Sequence, residues 1–197
     1  LALAVAVACT LLWGALSLGR QEALADRVVR LHVLANSDSE EDQALKLRVR
    51  DRILAEAEEL FVPGAGRAET EELLRAHLYD LAAAGAEVVG EAGYSYPVTA
   101  SLVHDYWFPT KTYTDFALPA GAYTALRIEI GAGGGRNWWC VVFPPLCAAA
   151  SEDVPAVAVA AGLTEDQVSL ITEEDQGYEL KFKAVEWWNS LRQKLEG

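Results

Sequence analysis

The sequence predicts a single α+β domain, and three observations lead there. Residues 28–35 alternate apolar and polar side chains, as a strand does. From about residue 37 to residue 90 the apolar residues recur at helical spacing. Near residue 94 the period changes back to alternation, and the stretch from His104 to Cys147 is too rich in aromatics and turns for a helix bundle. The predicted order is an N-terminal strand, two helices, a mainly antiparallel sheet and a C-terminal helix.

Each element has its own signal. In VVRLHVLA (28–35) Arg30 and His32 alternate with apolar residues, which suits a half-buried strand. Ser37 and Glu40 match a capping box, and acids at 38, 40, 41 and 42 suit a helix N-terminus. Leu45, Val49, Ile53, Ala57 and Leu60 then form the apolar stripe of a helix of about six turns. Pro63-Gly64-Ala65-Gly66 ends it. A second helix runs from Glu69 to Gly85 or Gly90, with Leu73, Leu74, His77, Leu78 and Leu81 on one side.

Strands are predicted at 96–106, 122–130 and 137–143. The last is almost continuously apolar and therefore reads as central. Glycines at 131 and 133–135 separate it from its predecessor, so a hairpin is the simplest connection. Residues 148–162 read as a loop or weak helix, and 163–171 as a short helix begun by Thr164. An edge strand at 180–183 and a closing helix at 184–195, carrying Trp187, Trp188 and Leu191, complete the domain.

The first 19 residues carry no charge, are long enough to span a bilayer and also fit the apolar region of a secretory signal. With no initial Met and no basic region ahead of the run, the true start is expected upstream. Ala23-Leu24-Ala25 has the small-x-small form of a cleavage site. Residues 1–25 are thus a signal peptide or an uncleaved anchor, and 26–197 the exported domain. Net charge is −13, and removing 1–25 takes away one Arg and one Glu, leaving it unchanged. So acidic a domain repels phosphate backbones, which excludes nucleic acid, and an anionic membrane surface is a poor dock. Cys9 leaves with the signal, and Cys140 and Cys147 remain as a pair for a disulfide in an oxidising compartment.

Few residue sets suggest chemistry. Gly131-Ala132-Gly133-Gly134-Gly135-Arg136 matches neither glycine fingerprint and precedes a strand, so it reads as a turn. His32, His77 and His104 lack metal-ligand spacing. Cys140 with His104 or His32 as base is the nucleophile option, but Cys147 offers the simpler partner. What remains is aromatic. Trp107-Phe108-Pro109-Thr110-Lys111 and Trp138-Trp139 are core or partner surface, and adjacent strand residues face opposite ways.

These stretches also carry a resemblance. RLHVLANSDSEEDQALKLRVRD at 30–51, YPVTASL at 96–102, His104–Cys147 and LKFKAVEWW at 180–188 resemble the stage II sporulation protein R family, over most of residues 28–190. Thr114, in TYTDF, stands where the family pattern favours Gly. The resemblance implies an exported signal of endospore formation, made in the forespore and sent into the space between the forespore and mother-cell membranes. There it triggers a membrane-embedded aspartic protease that processes a sigma-factor precursor. On that footing the chain is a ligand and activator, without cofactor or catalytic set, touching membrane only through its N-terminal segment. The candidate partner-binding residues are Trp107, Phe108, Lys111, Trp138 and His104. The competing class is an exported hydrolase acting on cell wall or peptide through His104 or Cys140.

Overall fold

The computed structural model describes residues 19–62, 64–113, 115–147 and 154–172. It is an α+β domain, as the periodicities predict. A four-stranded sheet is built from β1 (Val29–Leu34), β2 (Val98–Phe108), β5 (Gly121–Ile130) and β6 (Asn137–Phe143), in the order β2-β5-β1-β6. β2 and β5 are antiparallel, β5 and β1 parallel, and β1 and β6 antiparallel. A small hairpin, β3 (Lys111–Thr112) with β4 (Ala117–Leu118), leaves the end of β2.

Helices cover both faces. α1 (Glu40–Glu59), α2 (Arg67–Ala76) and α3 (Leu78–Glu91) lie on the first. Leu45, Val49, Ile53, Leu74 and Leu81 pack there against Val29, Leu31, Val33, Leu126 and Ile128. α4 (Val154–Ala160), α5 (Glu165–Thr172) and the helical residues 19–25 serve the second face. Leu24, Val154, Ala158, Val168 and Ile171 meet Phe108, Leu118, Tyr123 and Val141 there. The result is three layers, with helices on either side of one sheet.

The second layer accounts for two departures from expectation. β1 is buried along its whole length, Arg30 and His32 included, rather than half-buried. Among the described residues β6 stands at the edge of the sheet, beside β1, rather than at its centre. It is apolar because Cys140 and Val142 enter one core while Val141 enters the other. Nor do β5 and β6 form a hairpin, since β1 lies between them and the glycine-rich connection crosses its end.

Local chemistry explains the remaining differences. Ser39, not Ser37, caps α1, accepting the Asp42 backbone N–H. Ser37 donates its hydroxyl to the Asp42 carboxylate instead. The expected second helix is two helices that break at His77, whose ring bonds back to the Leu73 carbonyl at 2.8 Å. That break lets α3 lie close on the sheet. A Cβ at Gly85 would sit 3.0 Å from a Val98 methyl and 3.4 Å from a Val49 methyl, tighter than ordinary contact, so Gly lets the helix approach without pushing those side chains back. The strand at 180–183, the helix at 184–195 and residues 1–18 lie outside the described residues. Leu24, just before the candidate cut, is fully buried in the second core.

Candidate functional site

The aromatic segment sits at a corner of the sheet. β2 is bulged between Val103 and Tyr106, and Asp105 takes a positive φ of 54°, a conformation Asp tolerates better than most. Beyond the bulge Tyr106 and Phe108 point into the second core and Trp107 points away, 39% exposed. Phe108 is fully buried, which corrects its reading as a surface anchor. It meets Tyr106, Tyr123 and Trp139 edge-on and braces the segment from beneath. Lys111 opens the small hairpin and is exposed, opposite the buried Leu118. Thr114 lies outside the described residues.

One residue the sequence reading passed over pins that hairpin. Arg30 is fully buried, and its guanidinium lies 4.4 Å from the Phe108 ring centroid and 5.1 Å from that of Tyr123. Its Nε donates to the Cys140 carbonyl at 3.2 Å and its Nη2 to the Tyr113 hydroxyl at 3.3 Å. Tyr113 donates in turn to the Trp139 carbonyl at 3.1 Å and stacks on Phe116. Burial raises the Tyr113 phenol and pushes that of Tyr123 up to about 12, so both stay neutral donors. The only hint in the sequence was a cation on a strand between apolar neighbours, a pattern that ordinarily marks a solvent face.

His104 does not meet Cys140. Its Nε2 lies 3.2 Å from Glu71 and its Nδ1 3.4 Å from the Thr124 hydroxyl. This has the outline of a nucleophile–base–acid chain. Yet Thr124 is buried, its Oγ1 accepts Arg67 Nη1 at 2.8 Å, and Glu71 also bridges Arg67 and Arg75. The network joins α2 to the bulge of β2. Cys140 is bonded to Cys147, with Cα atoms 5.9 Å apart, within the usual range. Trp138 and Trp139 do face opposite ways. Trp138 is half-buried beside the first core under Arg50, 4.3 Å from its ring, and Trp139 lies at the second.

The glycine loop is occupied by the protein itself. The N–H groups of Gly134 and Gly135 donate to the carbonyls of Asn36 and Ala35, and Ala132 N–H to the Asn36 side chain. Gly131 has a φ of 60°, and a Cβ there would collide with Asn36 Oδ1. Asn36 also donates to Asp42 at 2.9 Å, and the Ser37 hydroxyl at 2.6 Å. Those two bonds, Ser37 first, hold the Asp42 carboxyl below its ordinary range. Lys46, its pKa lowered by burial, donates to the Arg136 carbonyl at 2.9 Å. The motif at 30–51 and the glycine loop are therefore a knot tying β1, α1 and the crossover together. Among the described residues no group of His, Cys, Asp or Glu could hold a metal ion.

Sheet, paired cores and disulfide define a three-layered α+β domain with an aromatic corner. Residues 25–153 match the family model of stage II sporulation protein R. The chain is also 32% identical over 191 residues to stage II sporulation protein R of Bacillus subtilis (strain 168), covering 85% of this chain and 83% of that protein. The chain belongs to the stage II sporulation protein R family. No solved structure matches it.

Proposed function

We propose that the chain is an exported signalling protein of endospore formation. It binds the externally facing part of a membrane-embedded aspartic protease and switches it on, which leads to processing of a sigma-factor precursor. The observation that carries this reading, beside the family, is the exposed Trp107 with Lys111 on a braced corner. Aromatic and cationic residues on a rigid support are the usual anchors of an interface. Export and the partner's identity follow from what the family implies.

The test is co-expression with the candidate protease in a non-sporulating host, reading cleavage of the sigma precursor. Cleavage that depends on this chain supports the reading, and precursor left intact in the presence of folded chain and protease overturns it. The hydrolase reading has lost Cys140 to the disulfide and keeps His104 beside Glu71 and Thr124. Its trace would be a His104 variant that folds, binds the protease and gives no signal at any dose.

A further inference from the structure

The cut expected after Ala25 falls inside the folded domain. Residues 19–25 are helical and lead through a turn at Asp26 and Arg27 straight into β1. Leu24 is fully buried, in one apolar cluster with Val28, Phe108, Leu118, Val168 and Ile171. Gln21, one turn earlier and so on the same side of the helix, is only 7% exposed. Polar bonds fasten the segment to the layer beneath. Gln167 Nε2 of α5 donates to the Ala23 carbonyl at 3.1 Å, and Arg27 Nη1 to the Gly162 carbonyl at 3.5 Å. The carbonyls of Glu22, Leu24 and Ala25 accept the backbone N–H groups of Asp26, Arg27 and Val28.

A cut after Ala25 removes all of this together. The second core loses a buried leucine, three backbone N–H groups lose their acceptors, and a new ammonium stands two residues from the buried Val28. The bond between Gly19 and Arg20 lies clear of the packing. Both residues are exposed at the open end of the helix, and a Cβ on Gly19 would meet nothing within 4 Å. Ser17-Leu18-Gly19 has the same small-x-small form as Ala23-Leu24-Ala25, and it ends the uncharged run, with Arg20 as the first charge after it.

We propose that Gly19–Arg20 is the processing site and that residues 20–25 stay in the exported domain as the lid of its second core. The enzyme is a protease of the signal-peptidase class, which reads small residues at the first and third places before the cut. Water adds across the peptide bond, leaving a carboxylate on Gly19 and an amino group on Arg20. The inference rests on the proposed function only for export.

The experiment exports the full-length protein from a bacterial host and reads its intact mass. A chain beginning at Arg20 is expected. One beginning at Asp26 overturns the inference, and one that keeps the apolar run overturns the assigned bond. Ala23→Glu, at an exposed position, spoils the third place before a cut after Ala25 and should leave the start at Arg20. Ser17→Glu spoils the same place before Gly19–Arg20 and should leave the run attached. The opposite pattern, processing blocked by Ala23→Glu and untouched by Ser17→Glu, assigns the cut to Ala25. Leu24→Ala in the exported protein should lower Tm by about 4–20 °C, the cost of a buried leucine at this chain length. An unchanged Tm overturns the lid, because a chain cut after Ala25 no longer contains the substituted residue. Protein that stays in the cell, with a Tm still lowered by Leu24→Ala, removes export alone. Exported protein that starts at Asp26 removes this inference alone.

Discussion

Replacing Arg30 with Met should make the domain more stable, not less. Taking a guanidinium out of water costs several kcal/mol even after relaxation, and Nη1, without a hydrogen-bond partner among the described residues, adds about 1–3 kcal/mol. Against this stand two hydrogen bonds to neutral acceptors, both long at 3.2 and 3.3 Å, and two ring contacts. Each bond is worth about 1.5 kcal/mol, the low end for a charged donor, and each ring up to about 2 kcal/mol when dry. The two sides nearly cancel. Met removes the penalty and those contacts together, keeps most of the volume, and adds fresh apolar burial with sulfur contacts of about 0.3–1.5 kcal/mol to Phe108 and Tyr123. Tyr113 keeps its bond to the Trp139 carbonyl. The expected gain is about 1–4 kcal/mol, as in other swaps of buried charge for hydrophobe. At this chain length that raises Tm by about 2–4 °C for each kcal/mol. Urea and thermal unfolding of the oxidised domain would measure it. A loss of about 3 kcal/mol or more, the cost of breaking a compensated buried ion, would refute the reasoning.

The other expectations concern packing, protons and the disulfide. Phe108→Ala should cost about 3–5 kcal/mol of stability, whereas Trp107→Ala should leave unfolding nearly unchanged and raise the dose needed in the cleavage assay about thirtyfold if Trp107 is a hot spot. Equal stability losses at the two positions would contradict the assignment of one to the core and the other to the surface. Asp42 titrates lower folded than unfolded, so its stabilisation is complete above about pH 3.9 and is lost as pH falls through the folded value. Asp42→Asn should abolish that acid step and cost about 1–3 kcal/mol at neutral pH, by stranding the donors of Ser37 and Asn36. Burial likewise lowers the His32 pKa, so stability should decline as pH drops below about 6.5, and His32→Gln should flatten that decline in pH-dependent urea titrations. Intact mass with and without reductant should show Cys140 and Cys147 joined, and reduction should cost about 2.5 kcal/mol, the chain-entropy value for so short a loop.

What was legible in the sequence follows from the reach of each signal. Helix α1, the strands and the opposed Trp138 and Trp139 all rest on local periodicity, which a single sequence carries in full. Strand order does not. β6 looks central because two layers cover it, and that cover comes from residues 19–25 and 154–172, at the far ends of the described chain. The same cover misled the reading of Arg30 and His32. Alternation around them is the pattern of a strand with one wet face, and nothing local says that the wet face is roofed. The aromatic corner was legible as a motif, but only the alternation within the fold separates Trp107 outside from Phe108 inside. A polar residue on a strand is ordinary, whereas a polar residue on a strand buried on both faces is costly. That cost is visible only once the layers are stacked, and it is why buried Arg30 and His32, rather than the exposed tryptophan, are the less ordinary feature of the molecule.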